Sequence, residues 1–125
     1  MSPRDQAGEL WTLAQKDYKA ATILAYADEP QIEAAGFHLQ QAVEKALKGW
    51  LTLLEVSFPR THDLSLLLGL LEDAGHDIDS YWELLELNPF AVQFRYEIPG
   101  DGFPEFEQSA QKVKQRLEHV QTLTS

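Results

Sequence analysis

From Ile32 to Leu54 the apolar positions advance by threes and fours: Ile32, Ala35, Leu39, Ala42, Val43, Ala46, Leu47, Trp50, Leu51 and Leu54. In a helix of 3.6 residues per turn that spacing keeps one side continuously apolar, so the stretch is predicted to be a core-facing helix. Trp50 carries the largest apolar surface of the stripe, and burying it requires partner helices on that side. A polar band of His38, Gln41, Lys45 and Lys48 runs beside the stripe at the same spacings. No other stretch is as long or as regular, which makes this helix the organising element.

The remaining chain supplies partners for it. A first helix is predicted over about Asp5 to Ala27, with Leu10, Leu13, Ala14, Ala21, Leu24 and Ala25 as its stripe. The small residues in that stripe permit close approach to a neighbour. Asp17 falls inside it. A carboxylate left unpaired there is costly, so Lys45 or His38 is the natural partner; a solvated place at the stripe's edge is the alternative. Asp28-Glu29-Pro30 closes the helix, because the residue before proline disfavours helical backbone. Thr61 is placed to cap a third helix, whose buried row is Leu64, Leu67, Leu68 and Leu71 and which ends near Gly75. Ser80-Tyr81-Trp82-Glu83 has the spacing of a capping box and opens a fourth segment, which Asn88-Pro89 stops.

Phe90 to Ile98 alternates apolar and polar residues as a strand does. A lone strand has no sheet partner in a helical chain, so helix and extended chain both stay open here. Pro99 to Gly102 reads as a turn, and Pro104 opens a last helix with Phe106, Ala110, Val113, Leu117 and Val120 as its core row. Residues 1–125 therefore read as one all-α domain, an up-and-down helical bundle of four to five helices.

Composition narrows the chemistry. With 125 residues and 44% apolar content, the chain can bury a core of its own. It has no cysteine, which excludes disulfides and thiolate metal sites. The first residues, MSPRDQAGELW, hold no apolar signal core, and no run approaches the roughly 18 apolar residues of a membrane span. A cytoplasmic protein without membrane attachment is expected. The net charge is −10, and it is uneven: residues 1–62 hold 6 Lys/Arg against 8 Asp/Glu, and residues 63–125 hold 4 against 12. A surface this acidic argues against nucleic acid as a partner, because phosphate binding needs basic groups to displace counterions.

The acids between Glu72 and Glu86 form no EF-hand loop, and His38, His62, His76 and His119 show no paired ligand spacing. No glycine-rich phosphate loop or nucleophile elbow is present. No metal and no cofactor are expected.

Three stretches carry a family resemblance. They are Ala14-Gln15-Lys16-Asp17 followed by Ala20-Ala21 in the first helix, Phe37-His38-Leu39-Gln40-Gln41-Ala42-Val43-Glu44-Lys45-Ala46-Leu47-Lys48 in the central one, and Thr61-His62-Asp63-Leu64 with the later Phe94-Arg95-Tyr96. In that order and over most of the chain, the sequence resembles the HEPN domains (higher eukaryotes and prokaryotes nucleotide-binding). The resemblance implies an all-α bundle that forms a homodimer, often beside a minimal nucleotidyltransferase in a toxin–antitoxin pair. It also implies, in many members, a metal-independent ribonuclease built on an arginine followed four to six residues later by histidine.

That spacing is absent here: Arg95 is followed by Gly100, Asp101 and Gly102 at the relevant positions, Arg60 lies too close to His62, and Arg116 too close to His119. Without an imidazole beside the arginine, no group moves the proton of a ribose hydroxyl. The expected role is a non-catalytic interaction module, with no catalytic residues assigned. The alternative is a ribonuclease toxin with a divergent site, for example Arg95 brought against His62. Nucleotide contacts, if the family name applies, fall on His38, Gln41, Lys45, Lys48 and Arg95; the competing reading pairs both lysines with acids such as Asp17 or Glu44. His62 reads either as an acid–base partner of Asp63 or as a helix-entry residue, and His76 and His119 read as surface residues. A dimer surface is expected on the aromatics Tyr81, Trp82, Phe90 and Phe94.

Overall fold

The computed structural model describes residues 2–91 and 103–123. Its elements are α1 (Pro3–Ala25), α2 (Ile32–Leu53), α3 (Leu64–Asp73), a 3₁₀ helix (Asp79–Ala91) and α4 (Phe103–Thr122). No strand occurs among the described residues, and the all-α bundle agrees with the hydrophobic pattern. Residues 92–98 of the ambiguous segment, Arg95 among them, lie outside the described residues.

α2 packs against each of the other four elements. Every stripe residue from Ile32 to Leu51 is buried, and Leu54 packs against the core at the helix end. The helix is buried well beyond that stripe, since Gln40 and Glu44 on its flank are also enclosed. Its C-terminus is closed by a Schellman turn, with Val56 N–H bonded to Leu51 O and Glu55 N–H to Thr52 O. Glu55 sits in the left-handed region there, at φ 59°, a position that favours glycine.

α1 is rotated from the stripe predicted for it. Its buried line is Ala7, Trp11, Ala14, Ala21 and Ala25, with Tyr18 half-buried on the same line, and Leu13 is left exposed. The cause is Trp11. Its indole N–H donates to the Ala46 carbonyl of α2 at 3.1 Å, and the ring lies over Gly49. A Cβ at Gly49 would stand 2.5 Å from Trp11 Nε1, so the glycine is what allows the approach. Burying the largest ring and satisfying its donor outweighs burying one leucine.

Two caps differ from the predicted ones. Ser2 caps α1, accepting from Asp5 N–H, so the helix starts earlier than expected. Asp63, not Thr61, caps α3: its carboxylate accepts from Ser65 N–H, while Thr61 accepts from Asp63 N–H one step earlier. The acid is also favoured at the positive helix end.

The fourth segment is a 3₁₀ helix and runs through Asn88-Pro89 instead of stopping there. Ile78 just before it and its own buried residues Tyr81, Leu84 and Leu87 fall every third position, which matches three residues per turn and not 3.6. Tyr81 is therefore 1% exposed and drops out of the predicted aromatic dimer surface; Trp82 is half-buried, and Phe94 and the Phe90 side chain lie outside the described residues. Ser109 of α4 donates to Glu86 at 2.7 Å and holds this segment against the last helix.

Candidate functional site

The polar flank of α2 is the candidate site, and it is organised around two carboxylates. Positions 38, 41, 45 and 48 recur at helical spacing, so their side chains leave α2 on one side. α1 brings Asp17 to the first half of that flank. Asp17 Oδ1 lies 3.0 Å from His38 Nδ1, and Oδ2 accepts from Lys45 Nζ. Asp17 is 12% exposed, with His38 and Lys45 about one-third exposed over it. Both partners named from sequence reach it together.

Glu44, on α2 itself, organises the other half. Its Oε2 lies 2.9 Å from Lys48 Nζ, and its Oε1 lies 2.9 Å from His62 Nδ1 and 3.3 Å from Gln40 Nε2. Gln40 also donates to the His62 carbonyl at 3.0 Å, and Gln41 donates to Gln40 Oε1 at 2.7 Å. The chain entering α3 is thus bound to α2 through side chain and backbone alike. Glu44 is 5% exposed, a burial that a carboxylate tolerates only when its lone pairs are filled. His62 pairs with Glu44, not with its neighbour Asp63, which is occupied in capping α3.

The electrostatics follow from the partners. A carboxylate only accepts, so the Nδ1 of each neutral histidine must donate, leaving Nε2 as the free lone pair. Each carboxylate faces one lysine, so with neutral imidazoles each half of the flank is uncharged. Lys48 also lies 6.0 Å from the centre of the Phe58 ring. The structure thereby brings His38, Gln41, Lys45 and Lys48 onto one flank, and Arg95 lies outside the described residues.

Sequence reasoning passed over a second constellation. Trp50 of α2 has His76 and His119 edge-on at centroid distances of 5.5 and 5.6 Å. Tyr81 Oη lies 2.5 Å from His119 Nδ1, and the Arg116 guanidinium stands 5.4 Å over the Tyr81 ring while donating to Ser80. Burial pushes the Tyr81 phenol well above its ordinary value, against the opposing pull of Arg116, so the hydroxyl keeps its proton beside His119. The Arg116-Gln115 side of α4 gave no warning of this, but the every-third-residue run through Tyr81 could have. Among the described residues no group of three metal-ligating side chains comes together, and no helix is long and apolar enough to cross a membrane.

Comparison with known proteins agrees with this architecture. The family model described as the HEPN domain matches residues 7–124, nearly the whole chain. No curated protein and no solved structure matches it.

Proposed function

The chain belongs to the HEPN domain family, and from that premise we propose that it works as a non-catalytic interaction module, pairing with a second copy and with a minimal nucleotidyltransferase of the toxin–antitoxin type. The observation that carries this reading is the self-engagement of the α2 flank. Lys45 and Lys48 are held by Asp17 and Glu44, and the imidazoles of His38 and His62 are held by the same two acids. Groups that could grip phosphate or move protons are committed to joining α1, α2 and the α2–α3 link. The absent Arg-to-His spacing supports the same conclusion. Leu13 and Ile23 leave apolar area on the outside of α1, as an assembling protein does.

Light scattering on the purified chain, alone and with the neighbouring nucleotidyltransferase, tests the proposal. A dimer and a mixed complex are the expected species; a monomer that ignores the partner overturns it. Calorimetry with ATP, repeated on Lys45→Ala, tests nucleotide binding by the flank, for which a loss of heat in the variant is required.

One observation favours the rival reading of a divergent ribonuclease. His62 is 55% exposed while its Nδ1 rests on a buried carboxylate, the posture of an imidazole general base. Incubating the chain with total RNA beside His62→Ala and Arg95→Ala separates the two readings. Cleavage lost in both variants would establish the enzyme, and intact RNA supports the module.

A further inference from the structure

The α2 flank leaves the seam between α1 and α4 unused. Two half-enclosed cavities of about 270 Å³ each lie along that seam, and both are lined by Tyr18 and Lys114. The first also has Tyr26, Phe106, Glu107 and Gln111 in its wall, with the Tyr26 hydroxyl donating to Glu107 at 2.9 Å. The second extends past Leu117 and Glu118 to Gln15 and Gln121. Glu107, Gln111 and Lys114 follow one another at spacings of four and three on α4, so they face the cleft as a row.

In the first cavity the row carries one charge of each sign, Glu107 and Lys114, and Glu118 adds an acid only to the wall of the second. Glu107 and Lys114 are about 10 Å apart along the helix axis, at 1.5 Å per residue. Lys45, Lys48 and Lys112 each have a carboxylate within 4.0 Å, whereas among the described residues Lys114 has none. At the other end, a carboxylate beside three aromatic rings suits an ammonium group, which gains both a charge-assisted hydrogen bond and ring-face attraction. A purely anionic ligand would be repelled by a chain of net charge −10, and Lys114 at the far end of the first cavity opposes a polycation.

We infer that the first cavity of the α1–α4 seam binds a small flexible zwitterion, such as an ω-amino acid or short peptide, with its ammonium at Glu107 among the rings and its carboxylate at Lys114. Neither charge alone is sufficient, because each end of the cleft then keeps an unanswered partner. The axial separation selects charges held apart by a short chain over those of a single α-carbon.

The probe is 6-aminohexanoate, titrated into the ¹⁵N-labelled full chain and followed by amide NMR, with hexanoate and hexylamine as single-charge controls. Saturable shifts are expected along residues 18–26 and 106–118, with each control at least about fivefold weaker. Glu107→Gln keeps an acceptor for Tyr26 and should weaken binding about fivefold; Lys114→Gln should do the same. Lys112→Gln, whose ammonium lies within 4.0 Å of Glu83 and Glu86, should leave it unchanged. Absence of saturable shifts, equal binding of either control, or full affinity in Lys114→Gln would overturn the inference. This test is independent of the module reading, which rests on the α2 flank and on assembly.

Discussion

The two carboxylates of the α2 flank hold the same kinds of groups and do different work. Asp17 comes from α1 and joins that helix to α2 through His38 and Lys45. Glu44 belongs to α2, and through His62 and Gln40 it joins the helix to the irregular link before α3. Asp17 keeps some contact with water at 12% exposure, while Glu44 at 5% has its oxygens filled by Lys48, His62 and Gln40. The lesson concerns redundancy. α1 is also fixed by Trp11 over Gly49 and by a line of buried alanines, so its ion pair is one support among several. The α2–α3 link is irregular and packs Val56 and Phe58 against the core, and the Glu44 network is its polar tether.

Removing each carboxylate in turn therefore should not cost the same. Glu44→Ala leaves Lys48, Gln40 and His62 without their common acceptor, and is expected to destabilise the fold by about 3 kcal/mol in urea unfolding. Asp17→Ala should cost about 1 to 2 kcal/mol, because water reaches the abandoned partners and the Trp11 packing survives. If Asp17→Ala proves the costlier, the comparison is inverted. Glu55→Gly relieves the left-handed residue that ends α2, and is expected to stabilise the chain by about 1 kcal/mol in the same assay. His62→Ala should cost about 0.5 to 1 kcal/mol, since that ring is more than half exposed and Lys48 and Gln40 still serve Glu44. Hydrogen exchange should show the His62 loss locally, as faster exchange of amides near the start of α3 with α1 unaffected.

Much of this was legible in the chain. The α2 stripe could be read directly because burial of its apolar side gives a period of 3.6, and no other element competes with it. Asp17 could be read because a carboxylate between alanines at helical spacing demands a partner. In the sequence Glu44 reads only as part of a motif and as one acid that either Lys45 or Lys48 could pair with. Its four-residue separation from Lys48 also fits an exposed surface pair, and nothing local announces that Gln40 and the link before α3 will cover it. α1 was misaligned because residue counting gave Leu10 and Leu13 equal weight with alanines, while the indole of Trp11 decided the rotation. The 3₁₀ helix was hidden by its Ser-x-x-Glu start and its Asn-Pro, although the spacing of Ile78, Tyr81, Leu84 and Leu87 by threes carried the information. The Tyr81–His119–Arg116 contacts depend on how that helix meets α4, a long-range fact that no local pattern encodes.

The most direct test of the claim that the flank's cations belong to the chain's own acids is a double-mutant cycle on Glu44→Gln and Lys48→Met, read by chemical denaturation. The account predicts a coupling energy of roughly 1 to 3 kcal/mol, because the pair is enclosed and shares its acceptor. Additive effects, with a coupling of about 0.3 kcal/mol or less, would mean that Lys48 is available to a ligand and would contradict it.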